Sequence, residues 1–304
     1  MRKQEADLVT DPARSLPNML TVDVEEWFHI LEVEGGHARE EWPHLESRVE
    51  ANTDVLLDLF AAAGVRGTFF VVGWVARQHP AVVRKIAAAG HEVASHSYWH
   101  EVVGRHTPAT LAEDLATSRK ILEDQSGRPV RGFRAPGGSI TPETAWAFDV
   151  IAEAGFEYDA SVNPGHSSHG GFPTPHFGPH RIRCASGTLY EIPWTTVGLA
   201  GRRVPFAGGG YLRLFPYPVI RLCVGIENRS GRPATVYVHP REIDPEQPRM
   251  HLPWQRRFKY YVGLRSTAKK LAALLRDHSF VPVETWLERH GASVADRVFE
   301  VTRS

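Results

Sequence analysis

Residues 81–100 read AVVRKIAAAGHEVASHSYWH, and this run holds a helix followed by a strand. Ala81–Ala89 carries apolar residues near the helical period, and Gly90 follows where a helix C-terminus wants a glycine. Glu92–Ser95 is a short strand candidate, and His96 and His100 come directly after it. The same order of elements extends in both directions. Further strand candidates are Met19–Val24, Gly67–Val72, Val130–Arg134 and Phe156–Ala160, with Leu45–Ala63, Pro108–Asp124 and Pro142–Ala154 as helices between them. Thr107-Pro108 and Thr141-Pro142 pair an N-cap with a proline at the first helical position. Gly64 and Gly155 close their helices as Gly90 does. Strand–helix alternation predicts a parallel sheet, open or closed into a barrel, with its chemistry at the carboxyl ends of the strands.

Titratable residues collect at that end. Asp23 and Glu25 close the first strand, His96 and His100 follow the third, Arg134 ends the fourth and Asp159 the fifth. His239 ends a later strand, Ala234–Val238. The histidine spacing alone decides nothing. With 16 His in 304 residues, composition yields a pair four apart about once by chance. A second pair, His176 and His180, brackets a Gly-Pro and reads as an ordinary loop. A hydrolytic metal site needs three protein ligands and an open position. Two imidazoles plus one carboxylate supply that number. Asp23 and Glu25, two apart on a strand, face the same side, whereas Glu26 faces the other. Side-by-side carboxylates repel unless a cation lies between or beside them.

Composition narrows the classes. At 42% hydrophobic the chain can bury a large core, and its 35 basic and 35 acidic residues give no overall charge for a nucleic-acid partner. Cys184 and Cys223 match no zinc or redox spacing and read as buried free thiols. No signal peptide and no run of ~20 apolar residues is evident, so a cytoplasmic protein is expected, with peripheral membrane contact left open. From residue 165 the texture changes. Gly165–Pro179 reads as a long loop, Arg181–Cys184 with Leu189–Trp194 as a hairpin, and Phe206–Leu214 as a glycine-rich turn without phosphate-loop spacing. Gly263–His278 is an amphipathic helix, basic on its outer face, and Val281–Trp286 a final strand.

Five motifs taken together, TVDVEEW (21–27), HSYWH (96–100), RGFRAPGG (131–138), YDAS (158–161) and YVHP (237–240), resemble those of the polysaccharide deacetylase family (NodB homology domain, carbohydrate esterase family 4). The tail, with AGGGYLRLFPY, HPREIDPEQPR and YYVGLRSTAKKL, resembles the branch associated with exopolysaccharide and exosortase clusters. The resemblance implies an α/β fold, an irregular (β/α)7 barrel related to the TIM barrel. It implies one catalytic domain with a core of about 18–240 and a C-terminal extension, 241–304, packed on it. It also implies hydrolysis of N-acetyl groups on hexosamine units of a saccharide, using a divalent metal, usually Zn2+, with Ni2+, Co2+ or Fe2+ as alternatives. Carried over by position, His96 and His100 match the metal-binding histidines and Asp23 the general base. Arg134 matches the arginine that orients the base, His239 the general acid, and Asp159 the acid that holds that histidine. The sequence departs at the third ligand, where Val24 replaces the usual acid. An acid–x–acid form of the motif assigns Glu25 there, with Glu26 as fallback. Trp27, Pro136, Trp194 and Tyr211 are candidate substrate contacts, and His29 lies close enough to join them. The altered acidic motif keeps two alternatives in play: a hydrolase of another amide (a cyclic imide or N-formyl amino sugar) and a degenerate glycan-binding protein.

Overall fold

The computed structural model describes residues 16–31, 36–165, 170–199 and 201–301. Its centre is a sheet ordered β10-β1-β2-β3-β4-β5-β7-β6-β12, with β11 paired to the start of β1. In chain order the strands are β1 (Asn18–Val24), β2 (Thr68–Val71), β3 (Glu92–Ser95), β4 (Gly132–Phe133), β5 (Tyr158–Asp159), β6 (His180–Cys184) and β7 (Gly187–Glu191). A separate hairpin of β8 (Thr196–Leu199) and β9 (Arg202–Pro205) precedes β10 (Thr235–Val238), β11 (Phe280–Val281) and β12 (Val298–Glu300). Among the described residues of this sheet only β6 and β7 pair antiparallel, as the expected hairpin. The α/β reading holds. The sheet follows an open path, and among the described residues no ladder joins its two ends into a closed barrel.

The helices are α1 (Val49–Ala63), α2 (Gly73–Gln78), α3 (Pro80–Ala88), α4 (Pro108–Ser126), α5 (Ala147–Glu153), α6 (Gly209–Leu214), α7 (Tyr217–Arg229), α8 (Trp254–Tyr261), α9 (Leu264–Asp277) and α10 (Val283–His290). Gly64, Gly90 and Gly155 all sit at left-handed φ, 65°, 77° and 80°, the conformation that terminates a helix cheaply only at glycine. Two expectations fail for identifiable reasons. Val281–Trp286 is mostly helix, because Pro282 cannot extend a ladder and instead caps α10, which buries Val283 and Trp286 at i, i+3. The glycine-rich turn at Phe206–Leu214 winds into α6 from Gly209 onward.

Strand residues of period two divide between two cores. Leu20, Val22 and Val24, with Phe69, Val71 and Val93, pack outward under the helices. Met19, Phe70, Ala94, Tyr158, Ala160 and Ile192 pack on the other face, against Val283 and Trp286 of α10. Strand register then sets the site. Val24 pairs with Val71, Val71 with Ser95, Ser95 with Phe133 and Phe133 with Asp159. The next residues along, Glu25, His96 and Arg134, therefore emerge side by side. Val22 pairs with Val238, which sets His239 beside Asp23.

Candidate active site

Glu25, His96 and His100 offer ligand atoms that all lie within 4.8 Å of one another, and all three residues are buried. Each is held by its surroundings. The His96 Nδ1 lies 2.7 Å from the Arg134 carbonyl oxygen. A carbonyl only accepts, so Nδ1 carries the proton and Nε2 keeps a free lone pair, the tautomer a metal ligand needs. Burial lowers the His96 pKa to about 4, so the ring is neutral near pH 7. The His100 Nε2 is 2.7 Å from Glu25 Oε2. Burial opposes ionisation of Glu25, but His100, His239 and Arg241 outweigh it and hold the carboxyl well below the usual range.

The segment from His96 to His100 is a tight loop after β3, not a helical turn. Ser97 and His100 take positive φ, 65° and 54°, a strained choice for non-glycine residues that the surroundings must enforce. The Asp114 carboxylate accepts the Tyr98 and Trp99 amides at 2.8 and 3.2 Å. Amides of Gly73 and Trp74 donate to the carbonyls of Ser97 and Tyr98. Asp114 was not evident in advance. Its signal is a lone acid on the buried face of α4, between Leu111 and Leu115.

The Arg134 Nη1 donates to Asp23 Oδ1 at 2.6 Å and to Thr21 Oγ1 at 2.9 Å, and its Nε donates to the Ala160 carbonyl. The guanidinium lies 4.1 Å from the centre of the Phe70 ring. The other Asp23 oxygen, Oδ2, is 3.9 Å from His239 Nε2, which is 3.7 Å from Glu25 Oε1. One side of His239 thus faces the Glu25–His96–His100 cluster.

The other side faces Glu242, not Asp159. Glu242 Oε2 is 3.3 Å from His239 Nδ1 and accepts the His239 amide at 3.1 Å. Arg213 Nε donates to the opposite oxygen of Glu242 at 2.8 Å. Burial pulls the His239 pKa down, yet Glu25 and Glu242 overcome it and leave the pKa raised. Asp159 is fully buried and bound to Ser161, whose hydroxyl and amide donate to it, and its carboxyl faces Glu191. Burial raises both carboxyl pKa values, with mutual repulsion adding to that of Glu191. Sequence reasoning missed Glu242, although its three-residue offset from His239 is the spacing by which a glutamate caps the amide at the start of a turn.

Glu26 is the fallback ligand that the fold directs elsewhere. Its carboxylate accepts the Ser47 hydroxyl and the Arg48 and Val49 amides at the start of α1.

Asp23, Glu25, His96, His100 and His239 share one cavity of about 560 Å³ with Trp194, Tyr211 and Tyr237. Phe258, Lys259 and Tyr260 of α8 close one wall. Of the candidate substrate contacts, Trp194 and Tyr211 line this cavity. Trp27 does not line the cavity: it is 6% exposed and its Nε1 donates to the Glu46 carbonyl. Pro136 is also buried outside the lining, and its neighbour Gly137 takes that place. His29 does line the cavity, stacked on His100 with ring centres 5.6 Å apart, and its buried Nε2 has no hydrogen-bond partner among the described residues. His176 and His180 sit together, and among the described residues they form no three-residue metal cluster; His180 Nδ1 lies against the Gly178 carbonyl. Cys184 and Cys223 are free and buried.

Residues 42–158 match the polysaccharide deacetylase family, and residues 160–288 match a domain of unknown function, DUF3473. A chitooligosaccharide deacetylase of Bradyrhizobium is 32% identical over 101 residues, 33% of this chain and 43% of that protein. A peptidoglycan-N-acetylglucosamine deacetylase of Bacillus cereus is 29% identical over 105 residues, 34% of this chain and 47% of that protein. The chain thus spans less than half the length of these relatives. A Mycobacterium smegmatis protein assigned provisionally to the polysaccharide deacetylases superposes with a TM-score of 0.61 at 19% identity, over 94% of both chains. A carbohydrate esterase family 4 pseudoenzyme of Bacillus anthracis superposes at 0.50 and 14% identity, over 90% of this chain and 66% of its own. Enzymes and a pseudoenzyme share this fold, so activity has to be argued from the side chains.

Proposed function

We propose that this chain, which carries a polysaccharide deacetylase domain, is a divalent-metal-dependent hydrolase that removes N-acetyl groups from hexosamine units of a saccharide. The observation that carries the reading is the convergence of Glu25, His96 and His100 in one cavity, between the Asp23–Arg134 pair and the His239–Glu242 pair. The donor set fits a divalent cation: two imidazoles, one with its tautomer fixed, and a carboxylate held ionised. Zn2+ suits these ligands, and Ni2+, Co2+ and Fe2+ accept the same set.

A bound cation would supply Lewis acidity, lowering the pKa of water from about 15.7 toward 7. The chain's own groups divide the proton work. Arg134 holds one oxygen of Asp23, which leaves Oδ2 to take the proton from the attacking water. His239, whose protonated form is favoured by its two carboxylate neighbours, gives a proton to the nitrogen as the C–N bond breaks. Acetate leaves, and a free amine remains on the sugar. Trp194 and Tyr211 offer faces for the sugar ring, and the buried Trp194 Nε1, without a partner among the described residues, offers a donor. Residues from both matched stretches build this cavity, so we read 18–301 as one catalytic unit.

The test is release of acetate and free amine from N-acetylated oligosaccharides by protein loaded with Zn2+, against protein stripped by chelator. Release that depends on metal and disappears in Asp23→Asn supports the reading. Tight glycan binding without release by the metal-loaded protein overturns it.

A further inference from the structure

The thirty residues Gln247–Arg276 contain eight Arg or Lys and no Asp or Glu, in a chain whose charges otherwise balance. This segment includes α8, WQRRFKYY, which places three cations among four aromatic residues. Trp254 and Phe258 are one turn apart and share a face of the helix. They are 75% and 56% exposed, a large apolar surface to leave in water. Arg256, Arg257 and Lys259 make no ion pair among the described residues, so nearby acids do not neutralise the charge.

This face is continuous with the cavity mouth. Phe258 and Lys259 line the cavity together with Leu214 of α6, itself 46% exposed. Trp254 and Phe258 also border a shallow hollow with Arg249 and Arg257. An apolar strip flanked by cations thus runs along one edge of the opening. A soluble polyanion would account for the cations but would leave Trp254 and Phe258 in water. A lipid surface accounts for both, since aromatic rings favour the headgroup boundary and cations the anionic phosphates.

We propose that α8 and the adjoining rim dock on an anionic membrane surface, with the cavity opening beside the lipid headgroups. The docking stands on the rim alone and does not depend on the catalytic reading.

The experiment is co-sedimentation of the full chain with vesicles at about physiological salt, where weak surface charge effects are screened. Vesicles of phosphatidylcholine alone are compared with vesicles containing phosphatidylglycerol, and far-UV circular dichroism checks the fold of each variant. The expected result is binding to the anionic vesicles, at least about tenfold weaker to the neutral ones. W254S/F258S should lose about tenfold with an unchanged spectrum, and R256E/R257E should lose as much. Failure to bind anionic vesicles overturns the proposal. So does binding untouched by W254S/F258S, or heparin that displaces the vesicles and binds both forms equally, which would mark a polyanion site instead.

Discussion

Arg134 serves two catalytic candidates at once: its carbonyl fixes the tautomer of His96, and its guanidinium, through Nη1, holds Asp23 at 2.6 Å. The first contact uses backbone and survives any substitution that preserves β4. The second uses the side chain and does not. Arg134→Lys should therefore retain metal while turnover falls by about 100-fold, because one ammonium cannot reach Asp23, Thr21 and the Ala160 carbonyl together. Elemental analysis alongside acetate release checks this. Loss of metal in step with activity would show that the side chain acts on His96 and not on the base.

Glu242→Gln tests the histidine side of the site. The raised pKa of His239 survives burial because of Glu25 and Glu242. Removing one of these carboxylates lowers it, and the protonated fraction then falls at a lower pH. The basic limb of the kcat profile should shift toward acid, with metal content unchanged. Asp159→Asn should leave that limb in place, since Asp159 faces Ser161 and Glu191. A shift in the Asp159 variant instead would return the acid-holding role to the residue first expected.

The framework of β1 to β5 with α1, α3, α4 and α5 was legible because each element carries its own local signal: period, proline start, glycine stop; the short α2 carries none of these and was not legible. The residues that meet at the strand ends were legible because a parallel register turns sequence order into spatial order. Glu242, Asp114 and Arg213 were not, since each acts on a neighbour brought by tertiary packing. The role first given to Asp159 failed for the same reason: its position at a strand end was right, but Glu191 on β7 claims its carboxyl. α8 escaped notice because its charged, aromatic sequence lacks the buried stripe that marks a core helix.

Stability should depend on pH through Glu92. This residue is buried, accepts from the Tyr158 hydroxyl at 2.6 Å and the Glu284 amide at 3.0 Å, and seats the N-terminus of α10. Burial, with Glu284 nearby, pushes its pKa up to about 7. A folded pKa above the unfolded value contributes stability that is full below about 4.5 and lost as pH rises through 7. His91 and His180, lowered to about 4 mainly by burial, act in the opposite window: their contribution is present above about 6.5 and lost as pH falls toward 4. The loss from Glu92 falls mainly between pH 4.5 and 7, by a few kcal/mol at most, and the two histidines act against it there. Glu92→Gln isolates it: the Tm difference between the variant and the unchanged protein should shift in favour of the variant as pH rises from 4.5 to 7. A Tm difference that does not change with pH would rule the group out.

The adjacent acids Glu25 and Glu26 offer the sharpest contrast, because directly after β1 they turn to different partners, Glu25 to His100 and Glu26 to the start of α1. Glu25→Ala removes the only carboxylate that clusters with His96 and His100 among the described residues. It should cost most of the bound metal, with Tm changed mainly through that loss. Glu26→Ala removes the acceptor for two amides at the start of α1 and for the Ser47 hydroxyl. Metal content should stay whole while stability falls by about 1–3 kcal/mol, the range for unsatisfied buried donors and a lost helix cap. Elemental analysis and chemical denaturation on both proteins separate the two roles. Retention of metal in the Glu25 variant together with its loss in the Glu26 variant would invert the assignment, and would require β1 to slip by one residue, carrying Asp23 away from Arg134 as well.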